Sequence, residues 1–304
     1  MSNSSVTADS KKLAFLKWTN HFTTYMAVLD KGGAHIASLG RFTLSETVDQ
    51  PVDWTPDGKS VILYSNRTGS TGIYRQALGE DNPRLLVLAN IMNEPRVTPD
   101  GKWVLYVSTP HPAEGVGSQD LMRIPLSGGE PQFVSTVRFR ARIVCAMPPS
   151  PLCAVAEPDE DYRRLIITAV DAIKGKGPEL IRFALDPNEG QWFVDLAPDG
   201  EQIAAAEASR RSNISVIATS NLMSEIRLKH WTNLRSVRWA ADGKGLFVGT
   251  GFGPGTLLYV DLAGNPSRLW EHASPLLSIA SPDGRHLAIA DHTVDRNLWM
   301  MEDF

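Results

Sequence analysis

Polar and apolar residues alternate in PVDWT (51–55), where Val52 and Trp54 stand against Asp53 and Thr55, the period of a strand with two unlike faces. The next residues break that pattern. Pro56 presets φ for a turn, Asp57 accepts backbone N–H groups, and Gly58 takes the left-handed position. VILYS then runs almost continuously apolar, as a strand covered on both faces does. TGIYRQAL supplies a third strand and, past the turn GEDNP, RLLVL a fourth. One unit of the chain thus reads as four short antiparallel strands.

The unit recurs. PRVTPDGKWVLYVS, VDLAPDGEQIAAAE, VRWAADGKGLFVGT and LSIASPDGRHLAIAD repeat it, and SSVTADSKKLAFLKW opens the chain with a looser copy. The turn aspartates are Asp9, Asp57, Asp100, Asp199, Asp242 and Asp283, at successive gaps of 48, 43, 99, 43 and 41 residues. The doubled gap predicts a degraded copy near residue 150, and RIVCAMPPSPLCAVAEP keeps both strands around a proline turn. Seven such units without helical period predict an all-β fold, a seven-bladed β-propeller of four-stranded antiparallel blades. Stacking in a ring covers the apolar faces that one blade leaves open, with Trp54, Trp103, Trp239 and Trp270 supplying large buried area. An open solenoid would carry distinct capping units, and none is visible. The blades run over about 4–49, 50–93, 94–137, 138–190, 191–232, 233–274 and 275–304, one propeller domain across 1–304. The last unit stops after three strands, and only Met1 to Ser4 precede the first inner strand. The expectation is therefore a three-stranded last blade with an open edge, in a chain cut from a longer one.

Charge narrows the partners. Lys plus Arg number 30 against 34 Asp plus Glu, which leaves no basic excess to attract nucleic acid or anionic lipid. No apolar run approaches the roughly 20 residues of a membrane span, and MSNSSVTADSKK lacks the apolar core of a signal peptide. Cys145 and Cys153 flank AMPPSPL, which reads as a hairpin turn in the first two strands of the degraded unit. A disulfide across it and two buried free thiols are both open; a zinc site is not supported, since no CxxC pattern or adjacent histidine is present.

The units WTPDGKSVILYSNRTGSTGIYRQ and SPDGRHLAIADHTVDRNLWMMEDF resemble the TolB-like, WD-repeat-like propeller repeats of bacteria, with SNRTG as the characteristic loop after the second strand. The likeness covers essentially the whole chain. The ending NLWMMEDF is similar to that of propellers at the C-terminus of bacterial serine/threonine kinases and winged-helix regulators. That resemblance implies a sensing or protein-binding module of a longer signalling protein, in the periplasm or outside the cell.

Catalytic signatures are missing: there is no G-x-S-x-G, H-E-x-x-H, G-x-x-x-x-G-K-[ST] or G-x-G-x-x-G after a strand. Four residues before the turn aspartate stand Ser5, Asp53, Arg96, Asp195, Arg238 and Ile279. In a propeller this position faces the central channel. Asp53, Arg96, Asp195 and Arg238 then read either as a mixed-charge binding site or as two inter-blade pairs, Asp53–Arg96 and Asp195–Arg238. His21, His111 and His292 fall where the repeat places loops between second and third strands, which could bring a metal to one face or simply leave exposed imidazoles. The acidic run EPDEDY, with Glu157, Asp159, Glu160 and Asp161, reads as solvated surface rather than a calcium loop. The expectation is a non-catalytic binding module with no cofactor, which engages a protein or small molecule at the channel mouth and at the face bearing KWTNHF, SNRTGS, STPHPAEGVG and GTGFGPG. The rival is a metal-assisted lyase or hydrolase acting on a sugar or small molecule at that same face.

Overall fold

The computed structural model describes residues 4–302 except 8, 10, 31–32, 45–47, 90–94, 110–116, 187–190, 208–212, 219–222, 229–230, 232, 252–254 and 273–275; within strands, the side chains of 18–21, 213, 218, 223, 276 and 294–296 also fall outside the description. The described residues form strands and turns. β1 (Ser4–Val6), β2 (Lys12–Asp30) and β3 (His35–Arg41) open the chain. Five four-stranded sheets follow in sequence, every pairing antiparallel. The first holds β4 (Asp49–Trp54), β5 (Ser60–Ser65), β6 (Gly72–Ala77) and β7 (Arg84–Leu88). The second holds β8 (Arg96–Val97), β9 (Trp103–Ser108), β10 (Ser118–Pro125) and β11 (Gln132–Arg138). The third holds β12 (Arg142–Cys145), β13 (Cys153–Pro158), β14 (Arg164–Asp171) and β15 (Gly175–Ala184). The fourth holds β16 (Trp192–Leu196), β17 (Gln202–Glu207), β18 (Asn213–Ala218) and β19 (Met223–Arg227). The fifth holds β20 (Leu234–Trp239), β21 (Gly245–Thr250), β22 (Gly255–Asp261) and β23 (Pro266–His272), and β24 (Leu276–Ala280) and β25 (His286–Glu302) end the chain.

The expected architecture, an all-β propeller of four-stranded antiparallel blades, is present. Among the described residues its seven sequence units form six sheets, because the first and last share one. In that sheet β24 pairs β25, β25 pairs β2, and β1 and β3 both pair β2. Six apolar clusters lie between consecutive sheets and close the cycle. One joins Trp54, Val61 and Leu63 of the first complete blade to Ala288 of β25, and another joins Phe247 and Leu257 to Leu287 and Ile289. The remaining four link the other neighbours in turn.

This closure corrects the expectation of a three-stranded last blade. The last unit supplies β24 and the near half of β25; the first unit supplies the far half of β2 and β3, which complete the blade. The repeat places loops at KWTNHF and around His292, yet both strands run straight, in register from Lys12↔Glu302 to Val28↔His286. Neither segment contains glycine or proline, unlike SNRTGS, STPHPAEGVG and GTGFGPG, so nothing there favours a turn over a continuous ladder. The outer halves of β2 and β25, with β1, extend past the ring as a ribbon, on which Leu298, Trp299, Met300 and Met301 are exposed.

Burial follows strand rank. Second strands such as β13 and β21 are buried at every residue, whereas the outermost β7 and β23 are largely exposed. Of the four expected core tryptophans, Trp54 and Trp239 are buried and Trp103 and Trp270 half-buried. The turn chemistry is repeated. Thr55 Oγ1 donates to Asp57 Oδ1 at 2.6 Å while Asp57 accepts the Lys59 N–H and Thr55 Oγ1 the Ser60 N–H. Thr98 with Asp100 and Ser281 with Asp283 do the same, and so does Thr7 with Asp9 at the ribbon tip.

Candidate functional site: the central channel

The inner strands β4, β8, β12, β16, β20 and β24 touch one another in a closed cycle around the channel. Equivalent backbone bonds align Thr55, Thr98, Ala146, Ala197, Ala240 and Ser281 at the turn entry. Two residues earlier, one layer of the wall therefore holds Asp53, Arg96, Val144, Asp195, Arg238 and Ile279. Ser5, the equivalent residue of the first unit, sits on β1 in the ribbon and not in the channel.

The four charged residues of this layer come together, and they do so through a clasp that occurs twice. Asp53 Oδ2 accepts the Val97 N–H of the next blade at 2.7 Å, and Arg96 Nη1 donates back to the Val52 carbonyl. Three blades on, Asp195 Oδ2 accepts the Trp239 N–H at 2.8 Å and Arg238 Nη1 donates to the Val194 carbonyl at 3.3 Å. Arg238 also lies 3.5 Å from Asp195 Oδ1, the pair expected from the sequence. Asp53 and Arg96 attract each other, and each also binds a backbone group beside its partner. Sequence reasoning anticipated side chain pairing and missed these backbone acceptors and donors, which carry no residue-type signal.

Burial dominates the electrostatics. It raises the Asp53 carboxyl against the pull of Arg96, and it pushes Asp195 up to about 7 against Arg96 and the Trp239 N–H. The same desolvation lowers Arg238 to about 10. Above the layer a pocket opens at the end that carries the Asp turns. The four charges form its floor, and Pro56, Pro99, Met147, Pro148 and Pro282 its apolar collar. That end is opposite the one bearing SNRTGS, since second strands run from the turns to those loops. The channel-mouth charges and the loop face, expected together, are thus separated by the thickness of the ring.

Two of the three histidines are carried by the long strands of the shared sheet. His21 lies within β2 and His292 within β25, on neighbouring strands rather than on loops. His292 stacks on Phe22, centroids 4.2 Å apart, and burial lowers its pKa. His111 lies outside the described residues. Among the described residues no three His, Cys, Asp or Glu side chains are placed to hold a metal. Arg67 of SNRTG pairs with the buried Asp49 at 2.7 Å and packs over Tyr74, a clamp on the loop. Of the acidic run, Glu157 is buried and paired with Lys176 at 2.7 Å, contrary to the solvated reading; Asp159 accepts the N–H groups of Arg163 and Arg164, and Glu160 and Asp161 are exposed. Cys145 and Cys153 face each other on β12 and β13 and are joined by a disulfide, which decides the alternative left open by spacing.

No family model and no curated protein matches the sequence. Solved structures do. A putative TolB from Agrobacterium tumefaciens superposes with a TM-score of 0.68 at 15% identity, covering 90% of this chain and 99% of that one. The fold is that of a TolB-like β-propeller. A chain of a nidogen/laminin complex gives 0.59 at 11% identity, over 91% and 98%. An oligogalacturonate lyase in complex with manganese gives 0.53 at 13%, over 93% and 76%. At such identities the likeness shows the fold alone, and the TolB-like propeller carries no activity with it.

Proposed function

We propose that this propeller is a non-catalytic binding module, the sensing or protein-binding part of a longer signalling protein, and that its ligand enters the turn-side mouth of the channel. The observation that carries this reading is the doubly clasped charged layer lying beneath an open apolar collar. Its polar groups are held in place by the ring itself, so a ligand meets an ordered floor and loses little to rearrangement. The Cys145–Cys153 disulfide supports an oxidising compartment, periplasmic or extracellular.

The test is a displayed peptide library together with a small-molecule thermal-shift screen, run on the native chain and on Met147→Glu, which puts a charge in the collar. Ligands recovered on the native chain should be lost on the variant at unchanged melting temperature. Ligands that bind both equally place the site elsewhere. Stoichiometric zinc or manganese retained through dialysis would replace the binding reading with that of a metal-assisted lyase or hydrolase.

A further inference from the structure

The channel has a second compartment on the loop side of the charged layer. β12 begins with Arg142, two residues before Val144, and the matching positions on the next two blades are Phe193 and Ser236. These three residues, with Arg96 and Arg238, line one small space in the channel. Three guanidinium groups from three blades therefore share it. The carboxylates of the charged layer do not line it: Asp53 and Asp195 belong to the turn-side cavity, where backbone N–H groups engage them.

Arg142 differs from the other two arginines. It is held by aromatic faces, 5.3 Å from the Trp192 centroid and 5.6 Å from that of Phe193, and among the described residues it forms no ion pair with a carboxylate. Burial lowers its pKa to about 10, helped by the like charges of Arg96 and Arg140. Ring stacking positions the guanidinium and offsets part of the cost of burying it, but it leaves the N–H fork to other acceptors. Guanidinium forks match carboxylate, sulfate and phosphate oxygens two at a time.

We propose that this compartment binds an oxyanion group, a carboxylate, sulfate or phosphate, with Arg142 as the bidentate donor and Arg96 and Arg238 as flanking charge. The proposal rests on the channel being the binding site and names the chemistry it reads. The group arrives either as a free ion or as the carboxylate end of a peptide.

Isothermal titration of the full chain at constant ionic strength tests it, with sulfate, phosphate and chloride as probes, then tetra-alanine and its C-terminal amide. Saturable one-to-one binding of sulfate or phosphate, absent with chloride, is the expected result. Arg142→Gln should weaken it by about tenfold or more, and Arg142→Lys, which keeps charge but not the fork, by less. Tetra-alanine that outcompetes its amide and is displaced by sulfate assigns the chain terminus; indifference between the two peptides, beside saturable sulfate, assigns the free ion. No saturable binding of any of these probes overturns the proposal. So does an affinity unchanged in both Arg142 variants, with circular dichroism reporting the fold. Glu94, one blade earlier at the same repeat position, lies outside the described residues. Binding that appears only in Glu94→Gln would mean that the chain supplies its own carboxylate, and that also overturns it. Loss of the screened ligands in Met147→Glu tests the turn-side mouth, whereas the sulfate titrations of the native chain and the Arg142 variants test this compartment, so the two readings fail separately.

Discussion

Burial raises the Asp195 carboxyl in the channel from 3.8 to about 7. Between those values the folded chain keeps a proton that the unfolded chain has released. The contribution of this group is therefore full below about pH 4 and is lost as pH rises through 7. Asp195→Asn should remove that dependence: the fall in urea-unfolding free energy from pH 5 to pH 8 should shrink relative to the native chain. An undiminished fall would show that this carboxyl is not the group responsible. The turn carboxylates work in the opposite sense. The Thr55 hydroxyl and the Lys59 N–H hold Asp57 below its ordinary value, so its contribution is present above about pH 4 and fades as pH drops through its lowered pKa.

At the scale of the element, the turn glycines separate backbone strain from crowding. Gly243 has φ of +68° and open space where a Cβ would sit, whereas at Gly200, with φ of +80°, a Cβ would meet Ser150 Oγ at 2.7 Å. Gly243→Ala should cost about 1 kcal/mol from the left-handed conformation alone, and Gly200→Ala measurably more, as denaturant midpoints will report. Equal losses would mean that the neighbouring turn yields freely. The third complete blade lacks the Asp–Gly turn, and the disulfide between β12 and β13 ties its first hairpin instead. Cys145→Ser with Cys153→Ser should lower stability by about 2.5 kcal/mol on the loop-closure argument. A denaturing thiol assay should find two more thiols with reductant than without; equal counts would refute the bond.

At the scale of the molecule, the ring depends on the meeting of its two ends. Deleting residues 1–11 removes β1 from the ribbon and should leave the unfolding transition cooperative, with the denaturant slope nearly unchanged. Deleting 1–41 also removes β2 and β3, strips the shared sheet to β24 and β25, and uncovers Leu287 and Ile289. That chain should lose its single sharp transition and bind a hydrophobic dye. A sharp transition in the shorter chain would show that the N-terminal strands do not close the ring.

What could be read without coordinates was local and periodic. Alternation in VDWT, the Pro-Asp-Gly turns and the continuous run VILYS each reflect one residue's φ preference or one strand's burial, and together they dictate four-stranded antiparallel blades. The same reading put Asp53, Arg96, Asp195 and Arg238 at one position of the repeat, hence in one layer. Closure was not legible, because the pairing of Leu287 with Ala27 joins opposite ends of the chain and no local pattern encodes it. Arg142 ends the basic run RFRAR, which by itself reads as solvated surface; it stands two residues off the repeat position being followed, and its importance comes from Trp192 on the next blade. The partners of the channel charges were half-hidden for a similar reason: a carboxylate that binds a backbone N–H across a blade boundary leaves no mark on the residue it binds. Blade chemistry was settled within some fifteen residues of sequence; ring size, the layered channel and its charge balance were settled only by contacts between blades.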